Sequence, residues 1–145
     1  MNFMVYGIPK GQPRTKAVAF AGHARVYTPS TAAAWKSAIA EAAWKHREFP
    51  KVPWTCPLTL NIIILLPRPK TRCRKKDPDG PIPHTSRGDV DNYAKAVMDS
   101  LGDVGLFKDD GQIYALTISK YYTGKDDRAG AMIDITAEEG PLPLS

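Results

Sequence analysis

The sequence predicts an α+β fold, a small mixed β-sheet packed with two main helices. Three observations point to it. Strand-like segments outnumber the two segments with helical periodicity. One strand-like segment, "LTLNIIILL" (Leu58 to Leu66), is a β-branched run too hydrophobic for a one-sided edge strand, which places it centrally in a sheet. The length of 145 residues is that of one domain, long enough to bury roughly two-thirds of the surface its unfolded chain exposes.

In chain order, "NFMVYGI" (Asn2 to Ile8) has strand character, and Pro9, Gly11 and Pro13 end it. "TKAVAFAGHARVYT" reads as two short strands around Gly22, a hairpin carrying Lys16 and Arg25. "TPSTAAAWKSAIAEAAWKHREF" predicts a helix of about five turns, capped at Thr28 or Ser30, with Trp35, Ile39, Ala43 and Trp44 at helical spacing. Pro50 and Pro53 stop it. After the central strand, Pro67 to Arg87 holds five of the thirteen prolines and the run "RPKTRCRKK", six of whose nine residues are Arg or Lys. Such a segment cannot pack a core and is expected to be a mobile loop when the protein is alone. A helix opens at "GDVDNYAKAVMDSL" (Gly88 to Leu101). "GLFKDDGQI", a strand "IYALTISKYY" (Ile113 to Tyr122), a turn "TGKDDRAG" and a final strand "AMIDITA" follow. The tail "GPLPLS" (140–145) is expected to fray, and the whole chain, without internal repeats, to form a single domain.

Composition narrows the function. The longest apolar run, Ile62 to Leu66, is far too short to span a bilayer, and no leader pattern precedes the first strand, so a soluble cytoplasmic protein without membrane partners is expected. Cys56 and Cys73 lie in different contexts without a second pair, which supports neither a disulfide framework nor a zinc site. A net charge of +5 and a pI near 9.2 suit a polyanionic partner.

The chemistry concentrates where the second helix begins. At about 100° per residue, Val90, Tyr93, Ala94, Val97 and Leu101 form an apolar stripe, and Asp91, Lys95 and Asp99 a separate polar one. Capping and dipole arguments cover part of this: Asp89 is a natural N-cap, and Asp91 with Lys95 makes a favourable i,i+4 pair. They do not explain the set. Asp89 and Asp91 flank one residue, so their carboxylates converge if the chain is still extended there. Asp109 and Asp110 follow a linker with Gly102 and Gly105 that can fold back toward the helix start, and the basic loop lies just upstream. Clustered carboxylates repel unless a hard cation neutralises them, and Mg²⁺ prefers a few such oxygens plus waters and substrate phosphate. A calcium loop is excluded. Counting from Asp89, Ala94 stands where the sixth-position glycine belongs and Ser100 where the twelfth-position glutamate does; counting from Asp77, Ile82 occupies the glycine position. Asp77, Asp79, Asp126 and Asp127 read as turn residues, and His23, His46 and His84 as surface residues, His84 being the one closest to Asp89.

"DVDNYAKAVMDSLGDVGLFKDDGQI" (Asp89 to Ile113) resembles the signature of the RusA family of Holliday-junction resolvases: D-x-D-N, a lysine four residues after the second Asp, an Asp four further on, then an acidic pair before a strand. "GIPKGQPRTKAVAFAGHARVYTP" also looks like the start of many members. The resemblance implies a small, homodimeric, Mg²⁺-dependent α+β endonuclease with one or two ions per subunit, common on prophages and acting in recombination and repair. Such enzymes cut four-way junction DNA with paired symmetric nicks. It matches Asp89, Asp91 and Asp110 to the essential, metal-holding carboxylates and Lys95 to the essential lysine. Asn92, Asp99 and Asp109 match supporting positions.

The residues suit that chemistry. Phosphodiester hydrolysis needs an activated water and relief of the charge developing on the phosphate and the leaving oxygen, which bound Mg²⁺ supplies. Lys95 is a cation on a flexible stem, suited to the scissile phosphate. Phosphate contacts are expected from Arg68, Lys70, Arg72, Arg74, Lys75 and Lys76, from Arg87, and from Lys10, Arg14 and Lys16. The tryptophans are expected in the core or a dimer contact. Two alternatives share these features: a nuclease for flaps or forks on the same scaffold, and a non-catalytic junction-binding protein.

Overall fold

The computed structural model describes residues 1–13, 16–20, 22–27 and 32–138. The elements in order are β1 (Asn2–Tyr6), β2 (Lys16–Phe20), β3 (His23–Tyr27), α1 (Ala33–Trp44), β4 (Leu58–Leu66), β5 (Ile82–Pro83), α2 (Val90–Asp103), β6 (Ile113–Tyr122) and β7 (Gly130–Ala137), with 3-10 turns at Lys70–Arg72 and Asp110–Gln112. Five strands form a mixed sheet in the order β1-β7-β4-β6-β5, while β2 and β3 pair as a separate hairpin. The β4–β6 pair is parallel and the others are antiparallel. This is the α+β architecture expected.

The β-branched run does sit at the centre. Leu58, Leu60, Ile62, Ile64 and Leu66 are all buried on one face of β4, together with Ile133 and Ile135 of β7 and Val5 of β1. Both helices cover that face, supplying Trp35, Ile39 and Ala43 from α1 and Tyr93, Ala94, Val97 and Leu101 from α2 to the same core. The Ser100 hydroxyl donates to the Lys36 carbonyl (2.6 Å) and pins the two helices together. Asn61 and Ile63 of β4 and Met132 of β7 point to the opposite, exposed face.

Two expectations need correction. The first helix is 12 residues long, shorter than foreseen, and leaves its axis after Trp44. There His46 turns back to the sheet, its Nε2 within 3.1 Å of the Asn2 carbonyl and its Nδ1 accepting from the Glu48 N–H. The caps suggested at Thr28 and Ser30 lie outside the described residues, as do 140–145. Trp35 and Trp44 do not share a buried face: Trp35 is 3% exposed and Trp44 64%. Nine residues at about 100° each leave them half a turn apart. Trp44 instead packs edge-on against Phe49, 5.1 Å between centroids.

Candidate active site

The start of α2 is shaped by what precedes it. Gly88 has φ +109°, and a Cβ there would meet the Tyr93 hydroxyl at 2.6 Å, so both backbone and space require glycine. Asp89 then takes the N-cap position in an extended conformation (φ −75°, ψ 138°), its carbonyl accepting from the Asn92 and Tyr93 N–H groups. Its side chain makes no capping hydrogen bond. The most obvious structural use of this carboxylate is therefore not the one it serves, and, like Asp91 two residues on, it is exposed. Val90, placed in the apolar stripe from sequence, is 39% exposed because it belongs to the first turn, before α2 reaches the core.

Lys95 pairs with Asp99 (3.6 Å), not with Asp91 as the helical spacing suggested. The Asp99 side chain is only 26% exposed, and partial shielding from water strengthens its attraction for the ammonium. Asp91 is thereby left out of the pair. Asn92 is covered by the chain that follows β1. The Gln12 N–H donates to the Asn92 carbonyl (2.9 Å), and a Cβ on Gly11 would lie 3.1 Å from the Asn92 Cβ. That contact lays Lys10–Gln12 across the first turn of α2.

The second acidic pair divides its labour. Asp109 caps the 3-10 turn, accepting from the Gly111 N–H (2.8 Å). That bond, with the Asp110 side chain second, holds the Asp109 carboxyl below the usual aspartate value. Gln112 closes the cap, its Oε1 accepting from the N–H groups of Lys108 (3.0 Å) and Asp109 (2.8 Å). Its Nε2 donates to the carbonyls of Trp54 (2.9 Å) and Cys56 (3.0 Å), fastening the turn to the chain ahead of β4. Asp110 is exposed and in no ion pair among the described residues. Gly105, at φ +86°, reverses the chain after α2. The reversal does not gather Asp89, Asp91 and Asp110 into one cluster: among the described residues of a single chain, no group of three acidic or imidazole and thiol side chains is placed to hold a metal. Asp89 and Asp91 still fit Mg²⁺, which takes one or two carboxylates and keeps most of its waters.

The basic loop makes contacts of its own. Arg68 donates to the carbonyls of Arg72 (2.7 Å), Pro78 (2.6 Å), Gly80 (3.1 Å) and Thr123 (3.4 Å), so its guanidinium ties the loop together instead of facing outward. Arg74 pairs with Asp77 (3.3 Å), and Arg72 lies over the Tyr122 ring (5.3 Å). Lys10, Lys70, Lys75, Lys76 and Arg87 are exposed. Arg14 and the side chain of Lys16 lie outside the described residues.

Sequence reasoning missed Lys120 and Gln112, and it read His84 as a surface residue. The His84 ring packs on Tyr122 (4.4 Å), and its Nδ1 is buried without a partner. Burial, then the nearby Lys120 and Arg72, push its pKa below the ordinary 6.5. A folded state that disfavours the protonated ring contributes stability present above the unfolded value and lost as pH falls through the lower folded one. The melting temperature should therefore drop on acidification from about pH 8 to about pH 5, and His84→Phe, which keeps a ring on Tyr122, should flatten that slope. Equal slopes in the two proteins would remove His84 from the account.

Residues 7–136 match the family described as endodeoxyribonuclease RusA. The chain is also 31% identical over 138 residues to the uncharacterized protein YqaN of Bacillus subtilis (strain 168), a match covering 92% of this chain and 94% of that one. The chain belongs to the RusA endodeoxyribonuclease family, whose members are Holliday-junction resolvases.

Proposed function

We propose that the protein is a Mg²⁺-dependent, structure-selective DNA endonuclease that resolves four-way junctions by paired nicks, as a homodimer, in bacterial or prophage recombination and repair. One observation carries the catalytic part. Asp89 occupies a helix cap without capping, and with Asp91 it presents two exposed carboxylates within the D-x-D-N stretch that resembles the family signature. Asp89 and Asp91 would hold the cation, with an Asp110 carboxylate joining them where a second copy brings it close, and the cation when bound would supply charge relief on the phosphate and a more acidic water. Lys95, on the same side of α2 as Asp91, would hold the scissile phosphate, and the Asp99 ion pair presets its stem. Asp109 and Gln112 set the turn that presents Asp110.

Assembly is supported by the sheet edge. On the side away from β4, β6 is paired among the described residues at Tyr121 and Tyr122, with the His84 N–H on the Lys120 carbonyl, and its Ile113–Ser119 stretch has no strand partner there. "IYALTIS" (Ile113 to Ser119) contains no proline or charge, and Tyr114 (53%) and Leu116 (44%) are exposed. Soluble proteins cover or blunt such an edge, and a second copy is the simplest cover for an enzyme that makes two symmetric cuts. An antiparallel copy would bring the start of its β6, just after its Asp110, beside the end of this one, next to Ser86 and Gly88. The expected mass in solution is about 32 kDa, twice 15.9 kDa.

The deciding experiment is incubation of the pure protein with a labelled mobile four-way junction, with and without Mg²⁺, beside flap and fork controls. Symmetric nicks that require Mg²⁺ are expected. Tight junction binding without cutting at any Mg²⁺ concentration would leave a binding protein, and faster cutting of flaps or forks would reassign the substrate. Affinity should also fall steeply with salt, with a log–log slope of about −0.9 per phosphate contact on duplex arms. Changing Arg72, Arg74, Lys75 and Lys76 together to Ala should make that slope shallower by several units; an unchanged slope would move the DNA to another surface.

A further inference from the structure

β6 carries one residue that its position does not call for. In the parallel register with β4, Leu60 pairs with Leu116, Ile62 with Ile118, Ile64 with Lys120 and Leu66 with Tyr122. The β4 members of these pairs are buried beneath the helices, and paired positions share a face of the sheet. Lys120 thus interrupts an otherwise apolar row on the helix side of the sheet, toward whose end β6 passes from the exposed Leu116 to the buried Tyr122, and it is itself half-buried there. A half-buried ammonium is best placed where its donors find oxygens. They are used on neutral oxygens: the ammonium donates to the carbonyls of Ser86 (2.7 Å) and Gly88. The Lys120 carbonyl in turn accepts from the His84 N–H (3.1 Å), so the segment from His84 to Gly88 is fastened to this residue by both main chain and side chain. The Gly88 oxygen belongs to the planar peptide unit that joins Gly88 to Asp89. Holding it fixes that plane at the residue whose φ of +109° turns the chain into α2 and leaves Asp89 extended.

We propose that Lys120 is a positioning residue of the acidic site: its grip on the Ser86 and Gly88 carbonyls sets the Gly88–Asp89 peptide so that the Asp89 carboxylate stands beside that of Asp91, ready for a divalent cation. This rests on the reading of Asp89 and Asp91 as cation ligands. It assigns Lys120 no contact with DNA, so its loss should show as a weaker cation site and leave junction affinity intact.

The test uses the full chain with Mn²⁺ as the probe. Mn²⁺ binding is read by electron paramagnetic resonance without DNA, the Mg²⁺ dependence by single-turnover junction cleavage, junction affinity by gel shift in EDTA, and folding by thermal melting. Lys120→Met, which keeps the stem and removes the donors, should weaken Mn²⁺ binding and raise the half-saturating Mg²⁺ by roughly 10- to 100-fold, the range for residues that support metal ligands. Saturating Mg²⁺ should restore most of the rate, and junction affinity should stay within about 2-fold. Lys120→Arg keeps the charge and donors but shifts them, and should weaken the ion by only about 3-fold. If Lys120→Met does not fold, Lys120→Arg carries the comparison. Wild-type Mn²⁺ and Mg²⁺ values in a folded variant overturn the proposal, as does a loss of junction affinity as large as the loss of Mn²⁺ binding. A wild-type protein that binds no Mn²⁺ would instead sink the cation site itself, so the two failures are distinguishable.

Discussion

Asp91→Asn and Asp110→Asn should bind four-way junctions at least as tightly as the parent protein in EDTA, yet cut them on the order of 10³-fold more slowly in Mg²⁺. Each substitution preserves size and removes the negative charge that a hard cation requires. Affinity can even rise without metal, because an exposed carboxylate repels the phosphate backbone. Asp89→Asn separates the competing accounts most sharply. If Asp89 were a capping residue, Asn would serve nearly as well and the change would be silent. The structure gives its side chain no capping bond, so Asp89→Asn should leave the melting temperature unchanged while cleavage collapses. Asp109 is the converse case. Its side chain does cap, through the Gly111 N–H, so Asp109→Ala should lower the melting temperature. Lys95→Met keeps much of the stem and should also bind but cut slowly. The paired measurement is gel-shift affinity in EDTA beside single-turnover cleavage in Mg²⁺. Parental cleavage rates in Asp91→Asn and Asp110→Asn would end the assignment of these carboxylates.

Much of this was legible in the sequence where local pattern and tertiary demand agree. "LTLNIIILL" and "IYALTISKYY" coincide with β4 and β6 because uninterrupted β-branched and aromatic runs bounded by turn residues leave little alternative. The spacing of Asp89, Asp91, Lys95 and Asp110 carried the resemblance to the RusA family, and the match over residues 7–136 shows that membership. What sequence did not yield are facts of three-dimensional supply and demand. Arg68 read as one more phosphate contact in a basic run, but the turns of the 67–87 loop leave carbonyls with no strand partner, and a guanidinium with five donors answers several at once. Lys120 received no reading beyond its place in a strand. Its one signal was its place two residues beyond Ile118 and two before Tyr122, a cation in an apolar alternation, which stands out only once the pairing with β4 puts that row on the helix side of the sheet. Lys95 could have paired with Asp91 or Asp99 on spacing alone, and the burial of Asp99 decides between them.

Tyr114→Lys with Leu116→Lys should turn the proposed dimer into a folded monomer of about 16 kDa and abolish paired cutting. Both side chains are exposed and contribute nothing to the core, so the fold has little to lose. Edge pairing has much to lose. In an antiparallel, two-fold symmetric pair of β6 strands each new lysine approaches its counterpart across the ladder, where like charges destabilise, and the exposed apolar area that would be covered is gone. Natural sheets protect their edges by this same device. Dimer affinity weakened by at least about 100-fold, roughly 2.8 kcal/mol, is the expected scale. Light scattering across a concentration series measures it, and melting temperature confirms that the chain remains folded. Cleavage supplies the second readout. If an antiparallel copy brings its own Asp110 toward this chain's Ser86–Asp89 segment, the monomer should lose even single nicks, because one chain alone gathers no three carboxylates among its described residues. If each chain is self-sufficient, the monomer should still nick one strand while losing the coordinated second cut. An unaltered dimer would place the interface elsewhere and leave the β6 edge to another partner.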